Sequence, residues 1–347
     1  MPEEPLTERE HAILEAVIRT YVETAEPAGS RTVARRFRLG ISPATVRNTM
    51  SDLEEKGYLY HPHTSAGRVP TDLAYRLYVD SLMRPAPVSE RERTAIRREL
   101  ELRGEAAVEH LLRRAAQVLG LLTQELGVAI APRLDQATLE RLDLVTLGEA
   151  KVLLVLTLRG AGVRTIYVDV PGAIPPQTLA AVARILNERL AGLPLREIRA
   201  TLAERLRDSA PSEPGAAELL NVFMQGAEEL FVGPAAPGQD VHLGRASVLA
   251  EQPEFASGQR LRGLIELTER PDLLKSALAG RGEGGLKVTI GVEHGDPALS
   301  DFTLVTSEYR SGGLKGVIGV IGPTRMPYDR VIALVESTSN LISEFLA

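Results

Sequence analysis

Apolar residues near the start of the chain recur three and four positions apart, which is the spacing of one helix face. The stripe consists of Ile13, Leu14, Val17, Ile18 and Tyr21. Thr7 and Glu10 stand just before it at the Ser/Thr-x-x-Glu spacing of a capping box, in which a hydroxyl and a carboxylate each accept a hydrogen bond from a free backbone amide. The pattern therefore predicts a helix that begins after Thr7 and ends before Pro27.

Two further helical patterns follow, separated by a turn at Leu39-Gly40-Ile41. We expect Ser30 to cap the first of them, which leaves its arginines to solvent. In the second, Ser42 is a predicted N-cap, and Pro43 fits the first helical position, where its missing amide costs no hydrogen bond. Gly57 is a typical C-terminal stop. A helix, a turn and a second helix at this spacing are typical of helix-turn-helix DNA-binding domains.

The third helix has two unlike sides. Val46, Met50 and Leu53 form its apolar side, and the opposite side is small and polar. Such a face fits a major groove, in which Asn pairs with adenine and Arg with guanine. We therefore predict base contacts from Ala44, Thr45, Arg47 and Asn48.

A hairpin is predicted directly after this helix, in the position of a wing. Tyr58-Leu59-Tyr60 and Arg68-Val69-Pro70 are the predicted strands, and turn residues fill the loop between them. The predicted wing residues are His63, Thr64, Ser65, Gly67 and Arg68. We expect Arg68 at the wing tip, where Gly67 leaves room for its guanidinium to reach a phosphate or a narrow minor groove. Thr71-Asp72 then begins a fourth helix.

The distribution of charge favours a nucleic-acid partner, although the sum does not. The chain has a net charge of -6, yet residues 28–76 contain eight basic and four acidic side chains. That segment is +4, so the rest of the chain carries -10. Phosphate binding depends on Lys and Arg, which displace counterions. The predicted phosphate contacts are Ser30, Arg31, Arg35, Arg36 and Ser42.

Downstream of this region the pattern changes. We expect Pro85-Ala86-Pro87 to be a stiff linker that makes the N-terminal part a separate module. A helical stripe then runs from Ser89 to about Leu126, with a weak point at Gly104. It fits equally a coiled-coil seam between subunits and a helix packed on the next domain. Alternating apolar positions predict strands over 139–147, 151–158, 164–170, 286–292, 303–309 and 314–321, and a final helix over 328–345.

Strands at both ends of this region, with helices between them, indicate one mixed sheet that is interrupted by an insertion. The expected fold is therefore a multidomain α+β chain. We predict a DNA-binding domain at 1–84, a discontinuous domain at 89–171 and 284–347, and an inserted domain at 172–283.

Composition and motifs argue against an enzyme. The chain has no cysteine, which excludes disulfides, thiolate metal sites and cysteine nucleophiles. It has no HExxH, GxSxG or P-loop motif, and the glycines between 312 and 322 lack the dinucleotide-binding spacing. His61 and His63 have no third ligand nearby. We expect no catalytic residue, no metal and no cofactor.

We also expect a cytoplasmic protein with no membrane partner. The first residues lack the basic start and apolar run of a signal peptide, and no later stretch reaches about 18 apolar residues.

Four segments closely resemble the family of heat-inducible transcription repressors, HrcA. They are ETAEPAGS at 23–30, SPATVRNTMSDLE at 42–54, PHTSAGRVPT at 62–71 and GVIGPTRM at 319–326. The resemblance covers nearly the whole chain, with the middle similar mainly in outline. It implies an N-terminal winged helix-turn-helix, followed by a GAF-like α/β domain that carries an inserted, mainly helical dimerisation domain.

The resemblance also implies a function in the heat-shock response. The protein would repress chaperone operons by binding an inverted-repeat operator as a homodimer, and it would depend on the GroE chaperonin for its active form. A two-fold symmetric dimer matches a two-fold symmetric site. One loop departs from the family pattern, which often has Glu/Asp-Asn-Pro where this chain has Glu293-His294-Gly295-Asp296-Pro297.

Two other functions stay open from the sequence. GAF-like folds often hold small ligands, so the chain could be a ligand-sensing transcription factor. In that domain Arg325 and Tyr328 could bind an anion, or they could form a subunit contact or a local salt bridge. The winged helix could also serve protein contacts in a non-catalytic adaptor, which would show no salt-sensitive affinity for DNA.

Overall fold

The structure is a computed structural model, and it describes residues 5–63, 67–101, 108–132, 134–148, 150–159, 162–209, 211–231, 241–256, 258–278, 285–311 and 314–346. Of the positions discussed above, Thr64, Ser65, Gly104, Gly312 and Gly313 lie outside the described residues.

Residues 5–83, here called the N-terminal unit, contain four helices and a short hairpin in their described part. These elements are α1 (Glu8–Thr24), α2 (Ser30–Arg36), α3 (Pro43–Glu55), β1 (Leu59–Tyr60), β2 (Val69–Pro70) and α4 (Asp72–Leu77), which continues as a π-helical turn over Tyr78–Leu82. The predicted capping box at the start of α1 is confirmed, since Glu10 accepts a hydrogen bond from the Thr7 amide at 2.7 Å and Thr7 caps the Glu10 amide.

The turn between α2 and α3 depends on left-handed backbone conformations, at Arg38 (φ +48°) and Gly40 (φ +69°). Ser42 caps α3 as predicted, and Gly57 follows its last turn with a φ of +79°. The prediction for Ser30 is wrong. It is the first residue of α2, and Gly29 occupies the cap position without a side-chain hydrogen bond.

The rest of the chain, here called the body, alternates helices and strands. In order, these are α5 (Glu90–Leu100), α6 (Val108–Thr123), β3 (Leu126–Ile130), β4 (Thr138–Thr146), β5 (Lys151–Arg159), β6 (Gly162–Asp169), α7 (Pro176–Leu190), α8 (Leu195–Leu206), α9 (Ala216–Gln225), α10 (Ala227–Phe231), β7 (Val241–Leu243), α11 (Ser247–Ala250), α12 (Gly258–Glu269), α13 (Pro271–Leu278), β8 (Lys287–Ile290), β9 (Phe302–Ser311), β10 (Leu314–Pro323) and α14 (Tyr328–Phe345). The predicted final helix is confirmed.

The larger described sheet is antiparallel, with strands in the order β7-β3-β10-β9-β8. Alternate residues of its central strands face opposite sides, as pleating requires. Ile318 and Val320 pack in a core with α6 and α14, whereas Val317 and Ile321 pack in a second core with α12 and α13. Gly319 lies where the backbones of the paired strands β9 and β10 approach closely, since a Cβ there would stand 2.2 Å from the Val305 carbonyl oxygen.

The strands β4, β5 and β6 form a separate antiparallel sheet. One face of it buries Leu154 and Leu156 against helices α7 to α9, in a third core. The expectation that these strands join the terminal strands in one sheet is therefore wrong, and the boundary at 172 separates β6 from the helices that it packs with. Alternation marks a strand but does not identify its neighbours. The strands β3 and β7 were missed, because β3 continues the apolar stripe of α6.

The N-terminal unit is not a separate module, contrary to the expectation from Pro85-Ala86-Pro87. One continuous core runs from Ile13 in α1 through Tyr75 in α4 to Tyr328 in α14. The Tyr75 and Tyr328 rings lie 5.6 Å apart, and the Ala86 amide donates a hydrogen bond to the Asp329 carbonyl oxygen at 3.1 Å. The linker is therefore attached to the body.

The helix α6 packs inside the molecule, which decides between the two alternatives for the stripe at 89–126. Its residues Leu112, Ala115 and Leu119 are fully buried in the core that contains α14. Among the helices that the structure describes, none combines the length and the hydropathy needed to cross a membrane.

Candidate nucleic-acid interface

The helix α3 presents its small polar face to solvent because its apolar face is anchored in the core. Val46 and Leu53 have no exposed area. On the other side Ala44, Arg47 and Asn48 are exposed. Thr45 is half-buried, and its hydroxyl lies 2.9 Å from the Ser42 hydroxyl, which also caps the Thr45 amide at 3.1 Å. The structure thus brings the four predicted base contacts together on the first two turns of one helix.

The arginines of α2 extend this surface. Arg31 and Arg35 are exposed, and neither guanidinium has a hydrogen bond or ion pair with another described residue. Arg36 is paired with Glu23 of α1, and its guanidinium lies 5.7 Å from the centre of the Phe37 ring. Arg36 is therefore oriented by the protein, whereas Arg31 and Arg35 extend into solvent.

The position of Arg68 differs from the expectation. Its backbone exchanges two hydrogen bonds with Ala28, and its guanidinium donates to Glu54 at the end of α3, at 2.7 Å. Only 12% of its side chain is exposed. Gly67 allows this close approach, because a Cβ there would lie 2.4 Å from the Ala28 carbonyl oxygen. Arg68 therefore lies where the loop meets β2 rather than at the tip of the loop, while His63 in the loop is exposed.

A second ion pair holds the end of α3. Lys56 donates to the buried carboxylate of Glu10 at 2.7 Å. This bond, opposed by burial and assisted by the Thr7 amide, lowers the pKa of Glu10 from 4.5 to about 2. Glu10 is therefore charged at neutral pH, and it ties α3 to the first turn of α1.

These pairings concentrate the available positive charge. Three basic residues of segment 28–76 are engaged with carboxylates away from α2: Lys56, Arg68 and Arg76. The remaining five are all exposed, and they are Arg31, Arg35, Arg36, Arg38 and Arg47. They lie on α2, on the turn and on the second turn of α3. The exposed arginines of this segment are thus confined to α2, the turn and α3 itself, and one of them, Arg36, is paired with Glu23.

Arg325 and Tyr328 are engaged inside the molecule. Arg325 forms a two-pronged pair with Glu254 and donates to the Val22 carbonyl oxygen of α1. The Tyr328 hydroxyl donates to the Thr324 carbonyl oxygen at 2.7 Å, and burial raises its pKa. Of the alternatives left open above, the local salt bridge is the one that the structure shows for Arg325.

A cleft of about 590 Å³ opens beside Arg325 and is lined in part by Glu23, Gln252 and the buried Glu125. Burial raises the pKa of Glu125 well above its ordinary value, against the opposing hydrogen bond from Gln252. Among the described residues, no three His, Asp or Glu side chains are grouped so that they could hold a metal ion.

Comparison with known proteins identifies close relatives along the full chain. Residues 109–332 match the family model described as "HrcA protein C terminal domain". The chain is 39% identical to the heat-inducible transcription repressor HrcA of Chlorobium phaeobacteroides (strain BS1), over 99% of both chains. It is 38% identical to the protein of the same name from Chlorobaculum tepidum, over 99% of this chain and 98% of the relative.

A solved structure has a similar fold. It is titled "Crystal structure of a hypothetical protein at 2.2 A resolution", and it superposes with a TM-score of 0.62 over 99% of each chain, at 23% sequence identity. At that identity the likeness concerns the fold alone.

Proposed function

This chain belongs to the HrcA family of heat-inducible transcription repressors, and we propose that it represses by binding double-stranded DNA through its N-terminal unit, which acts as a winged helix-turn-helix. Members of this family are transcription repressors and not enzymes. The observation that carries the proposal is the exposed face of α3, which is small, polar and acid-free in its first turns and includes Arg47, with four further exposed arginines on α2 and the turn that precede it. Such a face matches the donors and acceptors of a major groove.

In this proposal the residues divide into two roles. Arg47 and Asn48 contact base edges, with Ala44 and Thr45 packing against them in the groove. The phosphate contacts are Ser30, Arg31, Arg35, Arg36 and Ser42. The hairpin loop, through His63 and Gly67, contacts the neighbouring sugar-phosphate backbone of the DNA. Arg68 stabilises the hairpin against α3 and does not contact DNA, since its guanidinium forms an ion pair with Glu54.

We place the dimer contact on the outer face of the β4-β5-β6 sheet. The inner face is covered by α7 to α9, whereas the outer face exposes a row of apolar side chains that is flanked by charged ones such as Arg141 and Lys151. Its cross-strand row consists of Val145, Leu153 and Tyr167, with Tyr167 70% exposed and Val145 47% exposed. Val163, on the same face of β6, is 65% exposed. Clustered apolar side chains of this kind are typical of protein interfaces, and a second copy supplies the complementary surface.

With the dimer contact on this sheet, the inserted dimerisation domain that the family resemblance implies comprises residues 134–231 rather than 172–283. The described helices and strands of this range share one core. The five-stranded sheet, with the helices on both of its faces, then corresponds to the GAF-like domain. A homodimer of this kind presents two copies of α3 to an inverted repeat.

The target and the chaperonin are proposed from the family alone. The operator is an inverted repeat upstream of chaperone operons, and the GroE chaperonin brings the protein to its active form. The structure is compatible with such help, because its cores join segments from opposite ends of a long chain.

Selection of bound sequences from random DNA duplexes tests the proposal. The full-length protein is incubated with the duplexes at two salt concentrations, with and without chaperonin. We expect enrichment of an inverted repeat and weaker binding at higher salt. No enriched sequence under any condition, together with tight binding of a protein partner, would favour the adaptor function instead.

A further inference from the structure

The helix α4 holds the body through a directional ion pair. The Arg76 Nε atom donates to Glu293 Oε1 at 2.8 Å, and Nη2 donates to Glu293 Oε2 at 2.6 Å. The same Nη2 also donates to the Val288 carbonyl oxygen of β8, at 2.8 Å, and Asp80 accepts from Nη1 at 3.1 Å. Both prongs of the guanidinium fork are therefore used, which fixes an angle as well as a distance.

Asp72, one helical turn earlier, uses its side chain to contact the backbone of the same loop. Its carboxylate accepts a hydrogen bond from the Val292 amide at 3.1 Å. Gly291, with a φ of +50°, lies against this carboxylate, and a Cβ there would stand 1.9 Å from Asp72 Oδ2. The loop, a 3-10 turn over Gly291–His294, is thus shaped to receive α4.

The charges of this contact are sheltered and stable at neutral pH. The Arg76 and Glu293 side chains are 28% and 32% exposed. Burial would raise the pKa of Glu293, but hydrogen bonds from Arg76 and from the Ile290 amide outweigh it and lower the pKa. The bond to Glu293 in turn raises the pKa of Arg76. Neither partner changes its charge near pH 7.

We propose that Arg76 and Glu293, supported by Asp72 and Gly291, form a clamp that fixes the orientation of α3 relative to the body, and hence the separation of the two α3 helices in a dimer. They are positioning residues, and the proposal rests on the proposed function. The apolar contact between Tyr75 and Tyr328 holds the two parts together, but it does not require one particular angle between them. The two-pronged pair adds that requirement, because it needs coplanar partners.

The clamp has a measurable consequence for DNA. Two linked DNA-binding units gain about 100-fold or more over one unit when their separation matches the half-sites, and they lose the gain when it does not. A rigid unit should bind one spacing of half-sites, and a loosened unit should bind several. Contacts between a single unit and a single half-site should not change.

The test compares Glu293→Gln and Arg76→Gln with the wild type on three duplexes. These are a single half-site, the selected inverted repeat, and the repeat with about five base pairs inserted, which is roughly half a helical turn. Arg205→Gln is the matched control, because Arg205 forms a 2.7 Å pair with Glu197 at similar exposure, within α8. The double variant with Arg76→Glu and Glu293→Arg tests rescue by an exchanged pair.

We expect both clamp variants to bind the single half-site within about twofold of the wild type. Their preference for the selected repeat over the lengthened one should fall at least about fivefold, while Arg205→Gln keeps the wild-type preference and the exchanged pair recovers part of it. A clamp variant that keeps the full spacing preference would overturn the proposal.

A second measurement does not depend on DNA. The chain has no cysteine, so spin labels can be placed at Glu55→Cys and Glu336→Cys, which are exposed on α3 and α14. Labelled chains are diluted with unlabelled chains so that distances within one chain dominate. The distance distribution should be narrow in the wild type and broader in Glu293→Gln. An unchanged width of the distance distribution would overturn the clamp. If the wild type binds no DNA, the proposed function is refuted, and the width of the distance distribution alone then decides whether the clamp exists.

Discussion

The pair formed by Glu10 and Lys56 gives a prediction with a calculable size. Replacing Glu10 with Gln keeps the capping box at the start of α1, because Gln accepts the same backbone hydrogen bonds at that position. It removes the charge that Lys56 contacts at 2.7 Å. The substitution therefore isolates the ion pair that ties the end of α3 to α1.

The magnitude follows from the pKa of Glu10. The drop from 4.5 to about 2 is equivalent to roughly 3 kcal/mol. The Lys56 side chain is 30% exposed, so solvent screens part of this energy, and we expect a loss of about 1.5–2 kcal/mol at pH 7. Since the pKa is lowered by folding, this stabilisation is present above pH 4.5 and is lost as the pH falls towards 2.

Hydrogen exchange of α1 peptides measures the free energy of opening for this region without requiring that the whole chain unfold in one step. Glu10→Gln should differ from the wild type by about 1.5–2 kcal/mol at pH 7 and converge with it near pH 2. The control is Glu8→Gln, which removes an exposed charge from the same helical turn. If Glu10→Gln differs from the wild type equally at both pH values, or behaves like Glu8→Gln, the assignment of this energy to Lys56 is refuted.

Four further predictions concern the proposed surfaces and the sheet. Asn48→Ala should cost about 1–3 kcal/mol on the selected site and relax the preference at one base pair, measured by titration; an equal loss on random DNA would contradict base contact. Arg35→Ala should weaken all sequences alike and reduce the salt slope by about 0.9, and an unchanged slope would exclude a phosphate contact. Tyr167→Asp should shift the dimer towards monomer in sedimentation, whereas Tyr60→Asp, on an exposed aromatic of β1, should not. In thermal denaturation, Gly319→Ala should lower the free energy of unfolding by about 1–3 kcal/mol by separating β9 from β10. Gly263→Ala, in which the added Cβ meets open space, should not.

Local chemistry made the N-terminal unit predictable from the sequence. Thr7 and Ser42 act on amides three positions away, and the stripe of α3 follows from helical periodicity, so each signal lies within a few residues. The exposed face with Arg47 and Asn48 was predictable for the same reason. Whether these residues contact DNA stays a prediction.

The residues that the sequence did not reveal act across long separations. Arg76 contacts Glu293 far along the chain, and no local pattern connects the two. Arg68 looked like a free wing residue because the sequence does not show that Glu54 and Ala28 converge on it. The separate β4-β5-β6 sheet was missed for a similar reason, since strand partners are chosen by packing and not by alternation.

The shared core links the fold of the body to the DNA-binding surface. Tyr75 of α4 is buried against Tyr328 of α14, and Arg325 donates to the last turn of α1. The strand β3 pairs with β10, so the sheet closes only after nearly the whole chain is available. Pairings between such distant segments form slowly, because loop closure must precede the contacts that stabilise it. A chain whose C-terminal helix has not docked leaves the apolar side of α4 uncovered, because Tyr75 packs against Tyr328 of that helix. In the proposed function, this topology is compatible with help from a chaperonin, because α14, which covers α4, follows the other described helices and strands along the chain.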